Sequence, residues 1–181
     1  DMFTTADRSV ETWVEKAGIQ SPGRNVRMTE KGTKSDSRVD CEITVGAKTV
    51  TNKPAVAPKD NYLPRAMAWL LRRMVNLKTP AAYAFATYNG RDGDFKLRTF
   101  TVVGPEEIEA GGRKVSAIRV TDQLSSEIQA ADMWVDIDGK LLLMKTADGL
   151  TMEIASEKAV ERRFPAPKKP SKLWARNTAL R

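Results

Sequence analysis

The sequence predicts a mainly β domain of the α+β class, in which an antiparallel sheet carries helices on one face. Short alternating segments bounded by turn residues outnumber the helical segments. Tight turns join consecutive segments, most clearly at Asp138-Gly139 and Asp148-Gly149, and such turns favour hairpins over parallel crossovers. A chain of 181 residues can bury a core without a disulfide or a metal.

The first part of the chain is predicted to form strands. Residues 9–17 alternate in character and end before a glycine, and the next strand candidates are residues 24–30, 38–45 and, as a hairpin arm, 46–52. The polar residues 31–37 predict a loop, and the two prolines within residues 53–59 indicate a connection.

One long amphipathic helix is predicted to follow. It is expected to begin near Asn61, capped by Asp60 or Asn61, with Pro64 in its first turn, and to end at Thr79-Pro80. Its apolar stripe at 3.6-residue spacing consists of Leu63, Met67, Leu70 and Met74, widened by Ala66 and Leu71. Arg65 and Arg72 lie opposite this stripe.

Beyond the helix the period changes to that of strands. The predicted strands are residues 81–88, 95–103, 113–121, 133–136, 140–146 and 150–155. Residues 104–112 are predicted to be an acidic loop, and Ser156 is expected to cap a short C-terminal helix over residues 157–163. We therefore expect one domain over residues 1–164 and a basic, Pro/Lys-rich tail over residues 165–181.

The residue counts restrict the available chemistry. The chain contains no histidine, which removes histidine-based nucleophile activation and every histidine-containing metal site. Cys41 is the single cysteine, so no intrachain disulfide forms, and we expect it to be a small buried apolar residue. No phosphate-loop or dinucleotide-binding motif is present. We expect no catalytic residues, no metal and no cofactor.

The net charge of +7 suggests a polyanion as a partner, but its location weakens that interpretation. The tail from Pro165 to Arg181 has five basic and no acidic residues, which leaves a net charge of +2 on residues 1–164. A nearly neutral body is a poor nucleic-acid footprint, so nucleic acid is not the preferred partner. The alternative is a basic interaction protein whose tail binds anionic surfaces or nucleic acid.

The segment Met133–Ile154 resembles the closing strands of secreted bacterial β half-barrel proteins, the group around the periplasmic lipoprotein carriers. The shared pattern is a Trp-Val-Asp strand, a tight Asp-Gly turn and a returning strand, and Gly111–Val120 resembles this group's upstream strand. The resemblance covers residues 95–155. It implies a curved antiparallel sheet, a half-barrel, wrapped around the helix, an extracytoplasmic location, and an apolar concave face for an acyl chain or a hydrophobic peptide.

Candidate binding residues follow from the apolar and cationic content. Methionine and tryptophan supply adaptable apolar surface for a hydrophobic small molecule, a lipid or a protein partner. The groove candidates are Met67, Trp69, Leu70, Met74, Phe85, Phe100, Trp134, Met144 and Met152. Trp69 lies off the stripe among arginines, which predicts a lid, a partner contact or a cation–π cluster. The interaction candidates are Arg65, Arg72, Arg73 and Trp174.

A carboxylate-based hydrolase is the least favoured alternative. It requires two facing acids about 5–9 Å apart, and the nearest candidates, Asp136 and Asp138, flank a hairpin turn that they are expected to cap. No stretch of about 20 apolar residues is present, so no membrane span is expected. The preferred function is therefore a non-catalytic extracytoplasmic binding module.

Overall fold

The computed structural model describes residues 1–21 and 24–163, whose strands form two antiparallel sheets. The first sheet has the order β1-β2-β3-β4-β5, and β6 also pairs with β4. Its strands are β1 (Met2–Thr4), β2 (Val10–Ser21), β3 (Arg24–Ser35), β4 (Arg38–Val45), β5 (Lys48–Thr51) and β6 (Ala55–Val56).

The second sheet has the order β12-β11-β10-β9-β8-β7, so every strand lies beside its neighbour in sequence. Its strands are β7 (Ala81–Asn89), β8 (Asp94–Ala110), β9 (Arg113–Gln123), β10 (Ala131–Val135), β11 (Leu141–Lys145) and β12 (Thr151–Glu153). Two short helices, α1 (Arg65–Met74) and α2 (Glu157–Arg163), complete the described fold.

The prediction of a mainly β, antiparallel fold is confirmed. The finer picture of one half-barrel wrapped around the helix is not supported, because the strands divide into two sheets and α1 lies at their junction, packed on the second sheet and joined to the first through Arg65. Local signals at the C-terminal end are confirmed: Gly139 and Gly149 adopt the positive φ of tight turns, and the hydroxyl of Ser156 accepts the Ala159 N–H at the start of α2.

Two segments that were predicted to be loops belong to strands. Residues 31–35 continue β3, because the β2–β3 hairpin pairs without interruption from Ser21↔Arg24 to Val10↔Ser35. Residues 104–110 continue β8, whose pairing with β9 runs to Ala110↔Arg113 across a bulge between Val102 and Gly104. Polar composition signalled a loop in both places, but hydrogen bonding to a long partner strand outweighs composition.

The helix is shorter than predicted at both ends. Residues 61–63 instead add to the edge of β7, where Leu63 N–H donates to Ala86 O (2.9 Å) and Ala86 N–H donates to Asn61 O (2.8 Å). Asn61 has a positive φ of 57° and caps nothing, and no local side chain caps α1. The helix ends at Met74 because Val75 is extended, well before the predicted stop at Thr79-Pro80.

The main core lies between α1 and the second sheet. Leu63, Leu71 and Leu77 pack against strand residues that include Phe100, Val120 and Val135. The buried face of α1 is therefore centred on Leu71, with Met67 beside it, whereas Leu70 and Met74 of the predicted stripe are exposed. The buried face differs from the predicted stripe because contact with the second sheet determines which side of α1 faces the core. The distribution of apolar residues around the helix does not determine it.

A second core joins the two sheets. Trp13, Val39 and Cys41 of the first sheet pack with Ala57, with Tyr62 before α1, and with Tyr88 of β7. Tyr88 lies 5.8 Å from the Trp13 ring and 5.5 Å from the Phe95 ring, centroid to centroid. This junction positions α1 beside both sheets and creates the cleft described next.

Candidate ligand-binding site

A cleft of about 290 Å³ opens where α1 meets the two sheets. Its apolar wall comes from Ala68 and Trp69 of α1, Tyr88 of β7 and Leu124 after β9. The polar residues that line it are Glu15, Glu30, Arg65, Thr87, Asn89, Arg91 and Arg98. The volume lies just below the range of ordinary small-molecule sites, so the cleft holds a small group or one end of a longer ligand.

Arg65 is the centre of the cleft's polar floor. Its Nη2 lies 2.6 Å from Glu15 Oε2, and its Nη1 lies 3.0 Å from Glu30 Oε1. Its guanidinium carbon lies 5.3 Å from the centroid of the Trp13 ring, whose indole N–H donates to Glu30 at 2.9 Å. Burial lowers the pKa of Arg65, but the bond to Glu15 and the charge of Glu30 outweigh it and raise the pKa. Arg65, predicted above as an interaction residue, is thus largely buried and paired with two carboxylates of the first sheet.

Glu11 is fully buried and anchors the N-terminus of α1. Its Oε1 accepts the backbone N–H of Arg65 at 2.5 Å, and its Oε2 accepts a short hydrogen bond from the Tyr62 hydroxyl. This carboxylate supplies the helix cap that no local residue provides. Burial and the bond to Glu11 raise the pKa of Tyr62, so its hydroxyl remains a proton donor.

Cys41 lies in the same junction and has no reactive character. Burial, followed by the charge of Glu30, raises the pKa of its thiol to about 11. A thiol in this state is protonated at neutral pH and is a poor nucleophile. The prediction that Cys41 is a buried apolar residue is confirmed.

One polar group of the cleft wall is unsatisfied. The hydroxyl of Thr87 is buried and has no hydrogen-bond partner among the described residues. Buried hydroxyls are nearly always paired, so an orphaned hydroxyl calls for an explanation. Thr87 lies on the face of β7 that also carries Tyr83 and Phe85 toward α1.

A second cleft, of about 470 Å³, adjoins the first. Both are lined by Arg98 and Leu124, and the second continues past Ile128 to Ala147 and Asp148 of the β11–β12 turn. Arg98 and Asp122 form a bidentate ion pair in its floor. We call the two clefts together the Leu124 groove. Together the two clefts offer more room to an elongated ligand than either cleft alone.

The predicted groove residues do not form one surface. Met67, Phe85, Phe100 and Met144 belong to the main core, and Trp134 packs on the opposite side of the second sheet with Ile108, Ala117 and Leu143. The residues exposed to solvent are Trp69, Leu70, Met74 and Met152. Trp69 is the predicted groove residue that lines the Leu124 groove.

The predicted interaction residues also separate. Arg72 donates to the carbonyl of Gly139 at 2.9 Å, which ties the end of α1 to the β10–β11 turn, and Arg73 is exposed. Trp174 lies outside the described residues. Four residues of the site were not predicted from the sequence: Glu11, Glu30, Thr87 and Leu124. Glu11 lies two residues from Trp13 on β2, and Glu30 lies two residues from Gly32 on β3, so each glutamate shares a strand face with the residue named. An acidic residue on the buried face of a predicted strand was the sequence signal that could have identified both glutamates.

The acid pair at the β10–β11 turn stabilises that turn. The Asp136 carboxylate accepts the backbone N–H groups of Asp138 (3.0 Å) and Lys140 (2.8 Å), as expected from the sequence. Across residues 1–21 and 24–163, no three acidic or cysteine side chains are grouped to hold a metal ion. In the same ranges, neither helix has the length and apolar character needed to cross a membrane.

Comparisons with protein-family models, with curated proteins and with solved structures give no significant match. The class of this protein therefore follows from its fold and site: a two-sheet antiparallel β protein with a groove at the sheet junction. The groove has an aromatic and aliphatic wall, and a glutamate–arginine network supports its floor.

Proposed function

We propose that this protein is a non-catalytic binding module that holds an apolar ligand, such as an acyl chain, in the Leu124 groove. The observation that carries the proposal is the exposure of Trp69 and Leu124 on the walls of two adjoining clefts, the first of which lies at the junction of the sheets. Exposed apolar side chains grouped around a concavity are typical of ligand sites.

The polar groups of the groove support binding rather than catalysis. Glu15 and Glu30 are the carboxylates of the first cleft, and both are occupied by Arg65. Arg98 is likewise occupied by Asp122. Arg91 forms no ion pair within the described residues, so its guanidinium is available to the anionic end of an amphiphilic ligand.

We also propose where the protein acts in the cell and what class of ligand it meets there. The resemblance of residues 95–155 to periplasmic lipoprotein carriers supports an extracytoplasmic location and a lipid or lipoprotein ligand. The residues that carry this resemblance lie in the second sheet, one face of which packs against α1. A protein partner is the other ligand class that such a groove accommodates.

The test is displacement of a fluorescent fatty acid by palmitate, with native mass spectrometry to give the stoichiometry. Leu124→Asp places a charge in the shared wall, and we expect it to weaken binding by about ten-fold or more, since an unpaired charge beside an acyl chain is costly. The matched control is Leu97→Asp, because Leu97 is exposed on β8 and lines neither cleft. No binding by the unaltered protein, or equal weakening by both variants, would contradict the proposal.

A further inference from the structure

The outward face of α1 carries the largest exposed apolar side chains beside the groove. Trp69 is 63% exposed, Leu70 is 50% exposed and Met74 is 55% exposed. Trp69 lies nearly opposite the buried Leu71, and Leu70 and Met74 lie between them on one flank of the helix. Scattered single apolar residues need no explanation, but three of them on one turn and a half of helix form a patch.

The chain segment that contains these residues carries only basic charges. From Asn61 to Arg91 there are five basic residues and no acidic residue. Arg73 lies one turn from Trp69 on the same face, and Arg72 flanks it. Neither arginine takes part in an ion pair within the described residues. We define Trp69, Leu70, Arg72, Arg73 and Met74 as the α1 patch.

The neighbouring turn extends this surface. The hydrogen bond from Arg72 to Gly139 O brings the β10–β11 turn against the end of α1. A Cβ at Gly139 would lie 2.2 Å from Arg72 O, so the turn approaches the helix backbone closely. Ile137, which is 59% exposed, and Lys78 line the crevice beside Arg73. Asp138 is the acidic residue of this crevice.

We propose that the α1 patch docks this protein onto an anionic lipid surface. An aromatic and aliphatic centre with an arginine rim is the composition of helices that lie in the headgroup region of a bilayer. Tryptophan occupies the interface, aliphatic side chains enter the acyl boundary, and arginines pair with anionic headgroups. Nucleic acid would satisfy the arginines but leave Leu70 and Met74 in water, so a lipid surface fits the whole patch better.

The proposal concerns a different ligand contact from the Leu124 groove and does not depend on it. Leu70, Arg72, Arg73 and Met74 line neither cleft of that groove. Variants at these four positions therefore test docking without changing the groove wall.

The experiment is co-sedimentation of the full chain with vesicles of phosphatidylcholine alone and of phosphatidylcholine with phosphatidylglycerol. We expect binding to the anionic vesicles that weakens as salt increases. Arg72→Gln with Arg73→Gln is expected to weaken it about ten-fold or more, since each arginine near the surface contributes roughly five-fold. Leu70→Ser with Met74→Ser is expected to weaken binding at low and high salt alike.

The basic tail provides the matched control. Lys168→Gln with Lys169→Gln makes the same change in charge, and we expect it to weaken vesicle binding less than the arginine pair does. A tail variant that loses as much binding as the arginine variant, or a chain that binds an oligonucleotide but no anionic vesicle, would overturn the proposal. Unchanged urea midpoints for the exposed variants show that a loss of binding is not a loss of folding.

A second measurement reports the contact directly. A variant that keeps only Trp69, with phenylalanine at the other tryptophan positions, is mixed with anionic vesicles that contain brominated lipid. We expect quenching of Trp69 and none of a variant that keeps only the buried Trp13. Equal quenching of both reporters, or of neither, would place the bilayer elsewhere on the molecule.

Discussion

Gly32 shows how a single residue sets the close approach of two strands at the sheet junction. It is paired with Trp13 across the β2–β3 hairpin, and the indole lies over its backbone. A Cβ at this position would lie 1.9 Å from Trp13 Cζ2, which no rotamer adjustment of a buried tryptophan absorbs. A bulky aromatic covering a strand glycine is a recognised way to restore packing at that position.

Gly32→Ala is expected to destabilise the protein by about 3 kcal/mol, because the added methyl displaces Trp13 from the junction core. Urea unfolding followed by circular dichroism measures the change. Gly18→Ala is the control, since a Cβ there meets nothing within 4 Å, and it is expected to be neutral or slightly stabilising. Similar losses for both variants would show that the indole does not hold this position.

At the scale of an element, α1 is held in place by residues far away in sequence. Its first N–H is accepted by Glu11, and its first side chain, Arg65, is bound by Glu15 and Glu30 of the first sheet. A helix of ten residues is marginal by itself, so these contacts and the packing of Leu71 stabilise it. The local signals for a cap at Asp60 or Asn61 were therefore overridden.

Arg65→Met is expected to lower the free energy of unfolding by about 3–5 kcal/mol, because it leaves the buried Glu30 carboxylate without a cation. Methionine is close to arginine in side-chain length, so the decrease in the free energy of unfolding measures the loss of the charge more than the loss of side-chain volume. Arg38→Met removes the exposed pair with Asp40 and is expected to change the stability far less, because solvent screens that pair. Urea denaturation of both variants measures the difference, and equal losses would contradict a buried role for Arg65.

At the scale of the whole molecule, the junction couples the two sheets. Trp13, Cys41 and Val39 meet Tyr88 in one core, and Asn52 Nδ2 donates to Gly90 O at 2.6 Å across the same boundary. Such shared burial favours one cooperative transition over separate unfolding of the two sheets.

Two tryptophans report this coupling, because Trp13 belongs to the first sheet and Trp134 to the second. Variants that retain only one of them, with phenylalanine elsewhere, are expected to unfold at the same urea concentration. Tyr88→Ala, which removes the aromatic contact between the sheets, is expected to lower both midpoints together. A shift at Trp13 alone would show that the sheets unfold independently.

The amino-acid sequence alone determined the strand-rich class, the hairpin turns at Gly139 and Gly149, the C-terminal helix with its Ser156 cap and the burial of Cys41. These features depend on local periodicity and turn chemistry, which a short segment already contains. The tertiary structure alone decided that the strands form two sheets, that Leu71 and not Leu70 faces the core, and that Glu11, Glu30 and Arg65 meet at the junction. The physical reason is that strand pairing and buried ion pairs join residues from distant segments, and no local pattern specifies which distant partner a segment will have.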